Sequence, residues 1–376
     1  MSNNPSFVLQ AIEKAAFEER PIPSYGDDDV LVEVKKTGIC GSDVHYLTHG
    51  RIGDFIVNDP MVLGHESAGV IFKVGKNVKH VKPGDRVAIE PGKSCRICTT
   101  CKAGLYHLCP DMRFAATPPI DGTLGRYYSV PADLAYPLPS NMTLEDGALQ
   151  MEPSAVAVHA IKYLAKLQPN ETVAVWGCGP VGLLCMAVAR ALGARRVIAV
   201  DIVPSRLQFA AGYAATDTFL PPKPEQGESK IAYSERSAAA LMKELGLETR
   251  GANTVDVVIE ASGAEVSIQT GMYVVKIGGT FVQVGMGAPE VLIPMGTIGA
   301  KELTFRTSFR YGPGDYALAI ALTGSGKLDV KPMVTHRFKF EDAVKAFETT
   351  KKGKSEDGKG LIKAIISGPD VPIDEN

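Results

Sequence analysis

From Asn170 onward the chain alternates short apolar runs with helical patterns, and this alternation restricts its fold more than any other feature. Thr172-Val-Ala-Val-Trp176 reads as a buried strand, Pro180 to Leu192 as a helix and Arg196-Val-Ile-Ala-Val200 as the next strand. A helix from Pro204 to Ala215 follows, then a strand from Val255 to Ile259, a helix from Val266 to Val275 and a strand from Thr280 to Val284. Strands alternating with helices predict an α/β fold built on a doubly wound parallel sheet. Between Pro221 and Arg236 the chain is rich in Pro, Glu, Lys and Ser and reads as a solvated surface excursion. Both flanks are different in texture. Val30 to Val34, Gly64 to Val74 and Asp85 to Ile89 read as short strands between turns, and helices are expected near Asp315–Leu322 and Glu341–Thr350. The simplest partition is a β-rich domain made of both chain ends, residues 1–155 and 295–376, with a nucleotide-binding domain, 156–294, inserted between them.

At 376 residues the chain exceeds one core, and 45% hydrophobic with 22% charged residues is ordinary for a globular protein. A net charge of −2 gives no attraction to nucleic acid or an anionic membrane. No apolar run approaches the ~18 residues of a membrane span, and the start MSNNPSFVLQ has neither a basic nor an apolar signal region. A soluble, cytoplasmic protein acting on small molecules is expected.

Gly177-Cys-Gly179-Pro-Val-Gly182 is G-x-G-x-x-G between the strand ending at Trp176 and the helix from Pro180, with Asp201 closing the next strand. That context makes it a dinucleotide site: glycines permit a tight turn, and the helix N-terminus offers amides to the pyrophosphate. Asp201 can accept bonds from both adenosine ribose hydroxyls and would repel a 2′-phosphate, which points to NAD. Helix capping before Pro204 is the competing role for Asp201, and Arg206 nearby could receive a phosphate.

Cys95, Cys98, Cys101 and Cys109 form C-x2-C-x2-C-x7-C, which brings four thiols within reach of one ion. Thiolates favour zinc, the spacing lacks the closing C-x3-C-P of bacterial ferredoxins, and a chain this large does not need disulfide staples. A closed four-sulfur site holds a loop and leaves the chemistry elsewhere. Outside it, Cys40-Gly-Ser42-Asp-Val-His45, Gly64-His65-Glu66 and Gln150-Met-Glu152-Pro153 supply a thiol, an imidazole and carboxylates. Each has a dull explanation alone; together, in a dinucleotide-binding chain, they suggest a reactive zinc.

With the four-cysteine lobe and Gly177 to Gly182, the runs Gly38-Ile-Cys-Gly-Ser-Asp-Val-His45 and Pro60-Met-Val-Leu-Gly-His-Glu66 resemble the zinc-dependent medium-chain alcohol dehydrogenase superfamily. His49-Gly-Arg-Ile-Gly53, Val87-Ala-Ile-Glu-Pro91, Phe114-Ala-Ala-Thr-Pro118, Phe309-Arg-Tyr311 and Val334-Thr-His-Arg337 are similar to its polyol branch, the sorbitol, xylitol and L-arabinitol dehydrogenases. Asn4-Pro-Ser-Phe-Val-Leu9 and Val34-Lys-Lys-Thr-Gly38 are most similar to the fungal xylitol dehydrogenases (D-xylulose reductases).

The resemblance covers nearly the whole chain. It implies a GroES-like catalytic domain with an inserted Rossmann domain, NAD, and one catalytic and one structural zinc per chain. Cys40 and His65 match catalytic zinc ligands; Glu66 and Glu152 match carboxylates that bind the metal directly, approach it or hold it through water. Val181, Asp201, Arg206, Val284, Met286, Ser308 and Arg310 match NAD contacts, and Tyr46, Glu152 and Arg310 match polyol contacts. Ser42 is a candidate proton relay and His45 a candidate exit, with surface capping the plainer role for His45. The implied reaction is reversible oxidation of xylitol to D-xylulose, with sorbitol or L-arabinitol as alternatives and, remotely, a silent structural zinc protein. The resemblance also implies a homotetramer whose sheets continue across a dimer at Thr280–Val284.

Overall fold

The computed structural model describes residues 3–149 and 153–373, and the chain divides into two compact units, Met1–Glu152 with Gly312–Asn376, and Pro153–Tyr311. In the first unit a seven-stranded sheet runs in the order Ala135–Pro137, Arg86–Ile89, Glu66–Val74, Asp29–Gly38, Lys363–Ser367 and Val334–Phe338, with Tyr127–Pro131 also paired to Asp29–Gly38. The C-terminal strand Lys363–Ser367 therefore completes a sheet begun near the N-terminus, joining Lys36, Thr37 and Gly38 antiparallel. Alternation along Asp29–Gly38 sends Val30, Val32 and Val34 into a core with Ile71, Val87, Ile89 and Val130.

The second unit is a six-stranded parallel sheet in the order Asp217–Phe219, Arg196–Val200, Thr172–Trp176, Val255–Glu260, Val275–Gln283 and Thr304–Thr307. Numbered within the unit this is 3-2-1-4-5-6, the doubly wound order whose switch point lies beside the first strand. The strands Thr172–Trp176 and Arg196–Val200 match their expected ranges, because continuous apolar runs bounded by turns leave little freedom in where a buried strand starts.

Three expectations need correction. The sheet continues past residue 294, since Thr304–Thr307 pairs in parallel with Thr280–Gln283, and the compact unit ends at Tyr311. Its sequence, Thr-Phe-Arg-Thr, carries little buried apolar surface and gives a weak strand signal. Thr280–Gln283 is paired on both sides, so it is not an edge from which a sheet can extend; among the described residues Thr304–Thr307 is the outer strand. The polar excursion at 221–236 is helical from Lys230: Ser229 caps Lys230–Leu245 by accepting from Ala232 N at 3.2 Å. Its buried face mixes Ser234 and Ser237 with Tyr233, Ala238 and Leu241, and Ser234 Oγ donates to Gln269 Oε1 at 2.9 Å; the serines dilute the apolar stripe in a hydropathy reading. No described helix is long and apolar enough to cross a membrane.

Candidate functional site

Cys40 stands at the N-cap of the helix Gly41–His49, and His65 immediately precedes the strand Glu66–Val74, which Glu66 opens. The ligand atoms of Cys40, His65 and Glu66 all lie within 4.8 Å of one another. The three are held by two residues to which no role was given from the sequence. Asp43, fully buried, accepts from Cys40 N (3.1 Å), Gly64 N (2.9 Å) and His65 Nδ1 (3.2 Å). Burial pushes the Asp43 carboxyl up, but His65 and the backbone donors outweigh it and hold the group below the usual aspartate range. Donation from Nδ1 leaves the lone pair on Nε2, the arrangement a metal-ligating histidine needs. Lys363, on the C-terminal strand and 3% exposed, forms an ion pair with Glu66, which is 1% exposed. A Cβ on Gly38 would collide with Glu66 Oε2, so this pairing requires glycine there. Asp43 was visible only as the residue between Ser42 and Val44, and Lys363 is remote in sequence; neither has a spacing signal.

Ser42 Oγ lies 3.4 Å from His65 Nε2, and His45 is exposed on the same helix with its ring 5.5 Å from that of His49. Tyr46 packs inward, 3% exposed, in a cluster with Phe7, Leu9, Ile39 and Leu63. Glu152 lies outside the described residues.

The four cysteines of the lobe also converge, with ligand atoms within 4.8 Å of one another. Backbone N–H groups of Cys95, Cys98 and Cys101 donate to the sulfurs of Cys109, Cys95 and Cys98 at 3.3, 3.4 and 3.4 Å. The Cys101 N–H, with neighbouring thiols, draws Cys98 down to about 7, whereas burial pushes Cys109 up to about 11. All seven cysteines are free of disulfides, and the donor sets, four sulfurs in one place and sulfur, nitrogen and oxygen in the other, both suit zinc.

In the second unit Gly177, at φ +91°, turns the chain from the first strand into the helix Pro180–Ala191. A Cβ on Gly182 would strike Gly177 O, while one on Gly179 would meet nothing, leaving that face open to a pyrophosphate. Asp201, 7% exposed, accepts from Cys178 N (2.7 Å) and Val203 N (2.8 Å), which fixes its carboxylate at the strand end with lone pairs remaining. The cap of the following helix is Val203, so Asp201 does not serve as the N-cap. Arg206 is exposed on that helix, and Val181 is half-buried. Val284 N donates to Glu260 O at 2.8 Å, Met286 is 70% exposed, and Ser308 N donates to Gln283 O at 2.7 Å. Ser308 Oγ is buried with no hydrogen-bond partner among the described residues. Arg310 has φ +59°, seldom taken by non-glycine residues, and its guanidinium lies 4.7 Å from the Phe309 ring centroid.

Residues 26–140 match the family model described as alcohol dehydrogenase GroES-like domain, and residues 180–325 match that of zinc-binding dehydrogenase. The chain is 54% identical over 368 residues, 98% of each chain, to a protein of Arthroderma otae named probable D-xylulose reductase A. The chain belongs to the zinc-dependent medium-chain dehydrogenases. D-xylulose reductase A of Aspergillus oryzae is 53% identical to this dehydrogenase over 371 residues, 98% of each chain. Among solved structures, L-idonate 5-dehydrogenase of Escherichia coli superposes with a TM-score of 0.84 at 28% identity, over 97% of this chain and 98% of that one. The 2R,3R-butanediol dehydrogenase of Bacillus subtilis gives 0.82 at 28% identity, over 97% and 99%.

Proposed function

We propose that the dehydrogenase oxidises xylitol reversibly to D-xylulose with NAD. The observation that carries this reading is the convergence of Cys40, His65 and Glu66, buttressed by Asp43 and Lys363, in a chain that also has a dinucleotide loop ending at Asp201. Kinship with the D-xylulose reductases supports the substrate. Cys40, His65 and a carboxylate would hold zinc, which would supply a Lewis acid lowering the pKa of the hydroxyl to be oxidised, and bound NAD would supply the hydride acceptor.

Each protein group then has a task. Asp43 fixes the His65 ring, and Lys363 fixes the Glu66 carboxylate, so neither ligand rotates away. Ser42 Oγ, next to His65 Nε2, receives the hydroxyl proton, and exposed His45 passes it to solvent. Asp201 selects NAD by bonding the ribose hydroxyls. Arg310 and Glu152 hydrogen-bond the hydroxyls flanking the reacting carbon, a selection that an apolar pocket cannot make; Tyr46 shares that task on the strength of the resemblance alone. Catalytic chemistry is assigned to the unit of both chain ends and cofactor binding to Pro153–Tyr311. Cys95, Cys98, Cys101 and Cys109 hold the structural zinc. A cytoplasmic homotetramer completes the proposal.

The substrate reading is tested with Arg310→Ala. A lost charged hydrogen bond of about 2 kcal/mol lowers kcat/KM for xylitol roughly thirtyfold. For 2-butanol, which has no use for the arginine, kcat/KM stays near wild type. Equal falls for both substrates contradict the assignment of Arg310, and a wild type that prefers 2-butanol contradicts the polyol reading.

A further inference from the structure

We propose that a cavity in the first unit, at the hairpin Gly92–Lys93 and Arg113–Phe114, binds a phosphate monoester of a small sugar or polyol. Lys93 and Arg113 are direct cross-strand partners in that hairpin. Like charges directly opposite repel, and a folded chain normally places a carboxylate between them or avoids the pairing. Here no described carboxylate comes within ion-pair distance of Lys93 or Arg113, and neither side chain takes part in a hydrogen bond with a described residue. Both side chains are exposed, and both line one cavity of about 630 Å³.

The rest of the lining agrees with an anionic ligand. Tyr128 lines the same cavity, and the Arg113 charge acts on its hydroxyl. Burial pushes that hydroxyl up to about 12, so it stays protonated and able to donate. The carboxylates of the lining are already engaged with protein donors. Asp29 accepts from Gly26 N at 2.9 Å, Asp121 from Val62 N at 2.8 Å, and Glu90 from the phenols of Tyr106 and Tyr136 at 2.6 and 2.8 Å. Two unmatched cations and a phenolic donor suit a phosphate dianion. Remaining carboxylate lone pairs in the same cavity suit hydroxyl groups on the body of the ligand, which distinguishes a sugar or polyol phosphate from a simple inorganic ion.

The experiment uses zinc-loaded enzyme saturated with NAD, so that the dinucleotide loop is filled, and follows thermal melting against ribose 5-phosphate or inorganic phosphate at constant ionic strength. The expected result is a rise in Tm with ribose 5-phosphate and a smaller rise with inorganic phosphate. Neutralising either cation, Lys93→Gln or Arg113→Gln, weakens binding by roughly tenfold, and the double variant loses the response. Lys93→Glu gives Arg113 an internal partner; it abolishes the response and raises Tm in phosphate-free buffer. No phosphate response in the wild type, or the same response in the double variant, overturns the proposal. So does a double variant that melts below wild type without phosphate, since the cations would then be partnered already.

Discussion

Replacing Asp43 with Asn tests how far the reactive centre depends on one buried carboxylate that touches no substrate. Asp43 is fully buried and accepts three hydrogen bonds, from Cys40 N, Gly64 N and His65 Nδ1. Asparagine keeps a single oxygen. With that oxygen facing Gly64 and His65, its amide nitrogen confronts the Cys40 N–H, donor against donor; in the other rotamer two bonds are lost instead of one. A hydrogen bond to a charged group contributes about 1.5–3 kcal/mol, and the two that survive lose their ionic assistance. The backbone of one metal-binding residue and the ring of another both loosen. The expected result is zinc affinity lower by roughly 10–100-fold, read by competition with a chromophoric chelator, and a fall in Tm. An Asp43→Asn enzyme that holds both zinc ions with wild-type affinity would refute the argument that this carboxylate orients the site.

Glu90 is fully buried, and burial raises its pKa from an ordinary 4.5 to about 7 even though Tyr106 and Tyr136 donate to it. A raised carboxyl stabilises the fold at low pH and loses that contribution as pH climbs through the folded value, by about 3 kcal/mol in all; Glu90→Gln should therefore gain stability over wild type between pH 5 and 8, and an unchanged difference contradicts this. Cys101→Ser should cut bound zinc from two ions to one and lower Tm while leaving turnover at 25 °C nearly intact, as elemental analysis and calorimetry can show. Asp201→Asn should narrow the preference for NAD over NADP by about 2–4 kcal/mol, and equal wild-type kcat/KM for the two cofactors would show the reading of Asp201 to be wrong.

What could be read from the sequence divides along a physical line. Local patterns carry the second unit: Thr172–Trp176 and Arg196–Val200 lie within a few residues of the turns that limit them, and the glycines between them obey steric rules independent of the rest of the chain. The four-cysteine lobe was legible for the same reason, since its ligands fall within a short stretch of chain. Lys363 was not legible. It meets Glu66 only because strand Lys363–Ser367 closes the sheet beside Asp29–Gly38, a pairing between the chain ends that no local period announces. Thr304–Thr307 escaped because an outer strand with little buried surface has almost no hydropathy signature. The unmatched pair Lys93 and Arg113 is likewise invisible until register sets the two cations opposite each other.

The central claim, that the centre at Cys40, His65 and Glu66 carries out polyol oxidation, is tested most directly by NADH formation from xylitol in wild type and in Cys40→Ser. A folded Cys40→Ser protein that has lost one zinc should show kcat/KM lower by at least ~10³, because several kcal/mol of transition-state stabilisation leave with the metal. Full activity in Cys40→Ser with one zinc gone, or a zinc-replete wild type that does not reduce NAD with xylitol, would contradict the account.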